Sequence, residues 1–116
     1  MAQETAKSIA KWCADTFVDA TYDGQTIKFL EEFEELIASG CKDIMEIADM
    51  YIVACSVGNF NYKDFLFLSQ FALIAARGAG FSKDELQDAI DKKMQINRSR
   101  SWNCVGGQYK HKETEN

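Results

Sequence analysis

The sequence predicts an all-α domain, a helical bundle of about five helices with an antiparallel acidic helix hairpin at its centre. Three observations predict it. Proline is absent, so nothing in the chain forbids long helices. Glycines cluster near Gly40, Gly58, Gly78 and Gly80, and Gly106 and Gly107. The long segments between them carry apolar residues at helical spacing. Of the 116 residues 47% are apolar, enough for one core in one domain over residues 1–102. The remainder, 103–116, is polar and glycine-bearing and is expected to be mobile.

The first helix is expected at about residues 4–17, with Ile9, Ala10, Trp12, Cys13 and Phe17 as its apolar positions. The stretch DATYDGQ (19–25) reads as a loop, with Asp23-Gly24 as its turn signal. A second helix at about 26–39 ends at Gly40, which accepts positive φ without a Cβ clash. Asp43 is a natural N-cap for a third helix to about residue 57, and Glu46 stands where a capping box would place it. The short loop between these two helices implies an antiparallel αα-hairpin. The fourth helix, about 62–77, is apolar nearly all round. That predicts a central helix or one buried in a subunit contact. The fifth opens on Ser82 with Glu85 three residues on, a capping box, and runs to about residue 100.

Charge and composition exclude several functions. A net charge of −5 argues against a nucleic-acid surface. The four cysteines form no CxxC pair, and the single histidine, His111, lies in the polar tail. A zinc site is therefore not expected, and the cysteines read as free thiols in a reducing compartment. The N-terminus lacks an apolar signal core and no apolar run is long enough to span a membrane. The expectation is a soluble protein of the cytoplasm, with no membrane partner.

The stretch LEEFEELIASGCKDIMEIADM (30–50) raises the functional question. On a wheel of ~100° per residue, Glu31, Glu32 and Glu35 fall on one arc and Phe29, Leu30, Phe33, Leu36 and Ile37 on the other. Alone, this is an amphipathic helix with a wet acidic face. Glu46 and Asp49 change the reading. They share a face of a helix that is otherwise Ile44, Ile47, Ala48, Tyr51, Ile52 and Cys55. No lysine or arginine occurs between Asp43 and Tyr62 to neutralise them. The plain role for Glu46 is the capping box, and for Asp49 a hydrogen bond to a neighbouring helix. The alternative is a divalent cation. Two helices ~8–10 Å apart can aim such acids at one point, an all-oxygen site suited to Mg²⁺ or Mn²⁺. A ferritin-like di-iron site is excluded because no helix carries a histidine.

On the fifth helix Leu86, Ala89, Ile90, Lys93, Ile96, Asn97 and Arg100 share a face, apolar at first and cationic at its end. Cations near a helix C-terminus favour the dipole, and their stems cover apolar surface. Trp12 by itself reads as core, and Asn59 and Asn61 as loop residues.

The pattern Glu31-Glu32-x-x-Glu35, then Glu46-x-x-Asp49, resembles the EExxE…ExxD signature of the MazG-like all-α nucleoside triphosphate pyrophosphohydrolases. IAKWCADTF is similar to that family's first helix, KFLEEFEEL to its second, and KKMQINRSRSW to a C-terminal segment of phage and bacterial members. The resemblance runs from Ile9 to Trp102 in the family's order. One departure is the short interval between Glu35 and Glu46, which makes the hairpin turn tight and puts substrate specificity in question.

The resemblance implies Mg²⁺- or Mn²⁺-dependent hydrolysis of a (deoxy)nucleoside triphosphate to the monophosphate and pyrophosphate. It makes Glu32, Glu35, Glu46 and Asp49 the metal ligands. Glu31 would complete a second metal site or orient the attacking water, with Glu31 and Glu32 interchangeable as the base. Trp12, Lys93, Asn97 and Arg100 become substrate contacts. A homodimer or homotetramer is expected, since one small hairpin cannot enclose a nucleotide. The rivals are the same fold acting on an alarmone or phosphoribosyl-ATP, and a non-enzymatic helical interaction protein.

Overall fold

A computed structural model describes residues 3–105 and 108–111. Five helices follow one another: α1 (Ala6–Thr16), α2 (Tyr22–Ala38), α3 (Ile44–Gly58), α4 (Tyr62–Gly78) and α5 (Lys83–Ser99). The all-α bundle is as the sequence predicts. Strands β1 (Trp102–Val105) and β2 (Gln108–His111) then pair antiparallel, with Trp102 opposite His111. This hairpin occupies much of the segment expected to be a mobile tail, and β2 runs beside α2. Residues 106–107 and 112–116 of that expected tail, and the thiol of Cys104, fall outside what is described.

The helix ends follow the local chemistry. Thr5 and Ser8 close a capping box on α1, and Ser82 and Glu85 close the expected one on α5. Asn61 caps α4 by accepting from the N–H groups of Lys63 and Asp64. Asp43 caps α3 by accepting from Met45 N–H at 2.9 Å, but its box is not the reciprocal one expected, because Glu46 turns towards Glu35 instead. Between α2 and α3, Gly40 takes φ +84°. The N–H groups of Gly40 and Cys41 bond back to Ile37 and Leu36, a Schellman motif that reverses the chain in very few residues.

Two expectations are corrected. The stretch 19–25 is not all loop. Thr21 accepts from Gly24 N–H at 2.9 Å and starts α2 at Tyr22, with Asp23 in the first turn where it favours the dipole. This puts Gln25 on the helix. Second, α4 is not the central helix. The centre is α3, which packs against α1, α2, α4 and α5 and buries Ile47, Ala48, Met50, Ala54, Cys55 and Val57. Against it α4 presents its smallest residues, Ser69, Ala72 and Ala76. Its bulky ones, Leu66, Phe67, Phe71 and Ile74, stand on the outer face. Phe67 is 74% exposed and Ile74 67%. Among the described residues no single helix is long and apolar enough to cross a membrane.

Candidate metal centre and adjoining cavity

The α2–α3 hairpin is antiparallel, and its facing residues descend one helix as they climb the other. Gln25 meets Ser56, Glu32 lies near Asp49, and Glu35 meets Glu46. The α2 residues involved, at i, i+7 and i+10, lie on a single face of the helix. That stripe corrects the helical-wheel division drawn from sequence. Glu32 is only 6% exposed and shares the inner side with Phe29 and Leu36, whereas Leu30 and Ile37 face outward. Glu34 is exposed, as expected.

Glu32, Glu35 and Glu46 each offer a carboxylate oxygen, and these atoms lie within 4.8 Å of one another. Oε1 of Glu32 and Oε1 of Glu46 are buried and make no hydrogen bond among the described residues. A buried lone pair without a donor is costly. The electrostatics agree. Burial pushes the Glu32 carboxyl up; Lys28, with Nζ 3.1 Å away, opposes this, and Glu35 and Glu46 add to it. Burial, then Asp49 and Glu35, pushes Glu46 up as well. Burial lifts Asp49 to about 6, with Glu32 adding and Lys93 opposing. The cluster holds more negative charge than its solvation supports. Protons or a cation can relieve it. Its donors are all hard oxygens, the set that suits Mg²⁺ or Mn²⁺.

Asp49 stands apart from the other three predicted ligands. It pairs with Lys93, Nζ to Oδ2 3.3 Å, so the cation missing from its own helix arrives from α5. Its plain role, a bond to a neighbouring helix, is thus realised. Glu31 is half-buried and is not among the residues lining the cavity.

Next to the carboxylates opens a cavity of about 300 Å³. Its acidic end is walled by Glu32, Glu35, Glu46 and Asp49, with Lys28 and Lys93 beside them. At the other end Trp12, Phe17 and Trp102 meet edge to face, with centroid separations of 5.1, 6.0 and 5.1 Å. Trp12, Lys93, Asn97 and Arg100, the four predicted substrate contacts, all line this cavity. The Asn97 carbonyl accepts from Trp102 Nε1 at 3.2 Å and seats the indole there.

Arg98 serves the frame. It makes a bidentate pair with Glu4, both contacts 3.0 Å, and stacks over Trp12 with its guanidinium carbon 5.8 Å from the ring. That pairing is the main cause holding the Glu4 carboxyl below its ordinary range. Asn59 donates to the Ala10 carbonyl and ties α3 to α1, the structural duty its loop position suggests.

Sequence reasoning missed Gln25, Lys28, Cys13 and Ser56 in the wall. Lys28 had a signal in its i, i+4 spacing to Glu32. Gln25 had none while its segment read as loop. Comparison with family models, characterised proteins and solved structures gives no match to this chain.

Proposed function

We propose that this chain is a divalent-metal-dependent nucleoside triphosphate pyrophosphohydrolase of the MazG-like kind, releasing pyrophosphate and a nucleoside monophosphate. The observation that carries the reading is the convergence of Glu32, Glu35 and Glu46 on one point, with an oxygen of Glu32 and one of Glu46 buried and unbonded among the described residues, in the wall of a cavity also lined by cations and aromatic rings.

Glu32, Glu35 and Glu46 would hold Mg²⁺ or Mn²⁺, with Asp49 joining once Lys93 moves to a phosphate. The bound metal supplies charge neutralisation and orientation for in-line attack by water on a triphosphate. The chain's own residues do the rest. Lys28 and Lys93, both largely shielded from water, offset phosphate charge in an otherwise acidic protein. Arg100, at the end of α5, reaches the same cavity with a fork suited to phosphate oxygens. The aromatic trio offers an apolar end for a base. Glu31, off the cavity, is the weaker choice for a base than Glu32.

A homodimer or homotetramer is part of the proposal. Phe67, Phe71 and Ile74 with Leu30 and Ile37 give an apolar outer surface on α4 and α2 suited to a second copy.

The test is a panel of NTPs and dNTPs, with an alarmone and phosphoribosyl-ATP, followed by pyrophosphate and orthophosphate detection with and without Mg²⁺. Metal-dependent release of pyrophosphate from a nucleoside triphosphate supports the reading. No release from any of them, together with a melting temperature indifferent to Mg²⁺ and Mn²⁺, sinks it in favour of a helical interaction protein.

A further inference from the structure

Gln25 is 3% exposed and lines the cavity, yet its Oε1 makes no hydrogen bond among the described residues. Its Nε2 donates to Ser56 Oγ at 2.8 Å. Ser56 Oγ is thus the acceptor that the amide nitrogen finds. Nitrogen points at Ser56 and oxygen is left as a pure acceptor. Ser56 lines the same cavity wall, as does Cys13.

A buried acceptor that finds no donor among the described residues is costly to the folded chain. It is the feature expected where a ligand supplies the missing donor. The position says which part of the ligand. Gln25 and Glu32 lie two helical turns apart on one face of α2, about 10 Å along the axis at 1.5 Å per residue. That is comparable with the span from a nucleotide's phosphate to the far edge of its base. The acid end of the cavity is thus at the phosphate distance, and the aromatic rings of Trp12, Phe17 and Trp102 stand at the other end.

From this geometry we infer that Gln25 reads the base, its Oε1 accepting from an N–H on the base edge, an exocyclic amine or a ring imide. The inference rests on the nucleotide reading above and adds the residue that selects the base and the chemical group it selects. Ser56 is a positioning residue, which accepts from the amide nitrogen and leaves the amide oxygen to the ligand.

The experiment compares each nucleoside triphosphate that is turned over with an analogue in which that N–H is absent: the 4-deamino pyrimidine for CTP, the 6-deamino purine for ATP, the N3-methyl base for UTP. The wild-type chain should prefer the donor-bearing member of one pair by about 100-fold or more in kcat/KM, as sites built around a buried hydrogen bond do. In Gln25→Met the preference should fall to within about threefold, while Mg²⁺-dependent binding of inorganic tripolyphosphate is kept, which certifies the fold and the phosphate end. A preference that survives in Gln25→Met, or no preference in the wild type, overturns the inference.

If no nucleotide is hydrolysed, the catalytic reading fails and Gln25 is judged on binding alone. Both tryptophans of the chain line the cavity, so a nucleoside bound there changes their fluorescence. A response to the parent nucleoside that is absent with its donor-less analogue, and absent in Gln25→Met, supports the inference. No response to any nucleoside overturns it.

Discussion

Lys93 on α5 reaches across to Asp49 on α3, with Nζ 3.3 Å from Oδ2 and both side chains largely shielded from water. The pair links the acidic hairpin to the cationic end of α5. It also places Asp49 in competition, because the carboxylate can face the lysine or a metal. Lys93→Met should therefore leave the Mg²⁺-induced rise in melting temperature intact or enlarge it. KM for the nucleotide should rise about tenfold, the scale of one lost charge-assisted contact. Thermal shift and steady-state kinetics check the two halves separately. A lost metal response would show that Lys93 serves the metal centre and not the substrate.

Glu35 is the exposed member of the three converging carboxylates. Glu35→Gln removes a ligand and also relieves repulsion with Glu46. Turnover should be abolished while the metal-free melting temperature rises by roughly 1–4 °C. Asp49→Asn should likewise abolish turnover with the fold intact. Near-wild-type activity in either variant would dismiss the ligand assignment.

Asp49 titrates at about 6 in the folded chain against an ordinary value of 3.8. Between those values the folded state keeps a proton that the unfolded state has released. Its contribution to stability is therefore lost as pH rises through that window. Glu32 and Glu46, also raised, act in the same direction. Glu4, held low by Arg98, works the opposite way at lower pH and is not one of the converging carboxylates. The stabilisation given by Mg²⁺ should grow from about pH 5 to about pH 7, because metal displaces those protons. Melting curves at paired pH values, with Mg²⁺ or with chelator, measure it. A metal increment that is flat in pH would mean that the raised carboxyls are not ligands.

Phe67, 74% exposed in the middle of the outer face of α4, should be covered if the chain assembles. Phe67→Asp should shift the mass measured by light scattering to the monomer, with the helical circular dichroism retained. A wild-type chain already monomeric at high concentration would dispose of the apolar face as an interface.

Gly58 ends α3 against Phe65 of α4. A Cβ there would lie 2.8 Å from the Cβ of Phe65. Gly58→Ala should destabilise the chain by about 1–3 kcal/mol, the range for overpacking, since a backbone-linked carbon cannot swing away. Chemical denaturation reads this directly, and an unchanged midpoint would mean that α4 shifts freely on α3.

Much of this protein is determined by sequence alone. Helical period, the Ser82–Glu85 box, the Asp43 cap and the glycine at Gly40 act within a turn or two of chain, so five helices and the tight reversal after α2 could be read from neighbours in sequence. The acidic cluster was legible for the same reason. Carboxylates at i, i+3 on two consecutive helices with a short link have few ways to avoid each other.

Tertiary structure decided what depends on which helix lies against which. The apolar pattern of α4 suited either the centre or a subunit contact, and α3 took the centre because it alone packs on four helices, leaving Phe67 and Ile74 outside. The partner of Asp49 is far away in the chain, and no local rule could supply Lys93. Gln25 was hidden by a glycine read as a turn, which the Thr21 cap instead drew into the first turn of α2. Only then does the amide fall on the stripe of Glu32, two turns along the same cavity wall. Burial and pairing are properties of contacts between distant segments, and those contacts set the charge balance of the cluster.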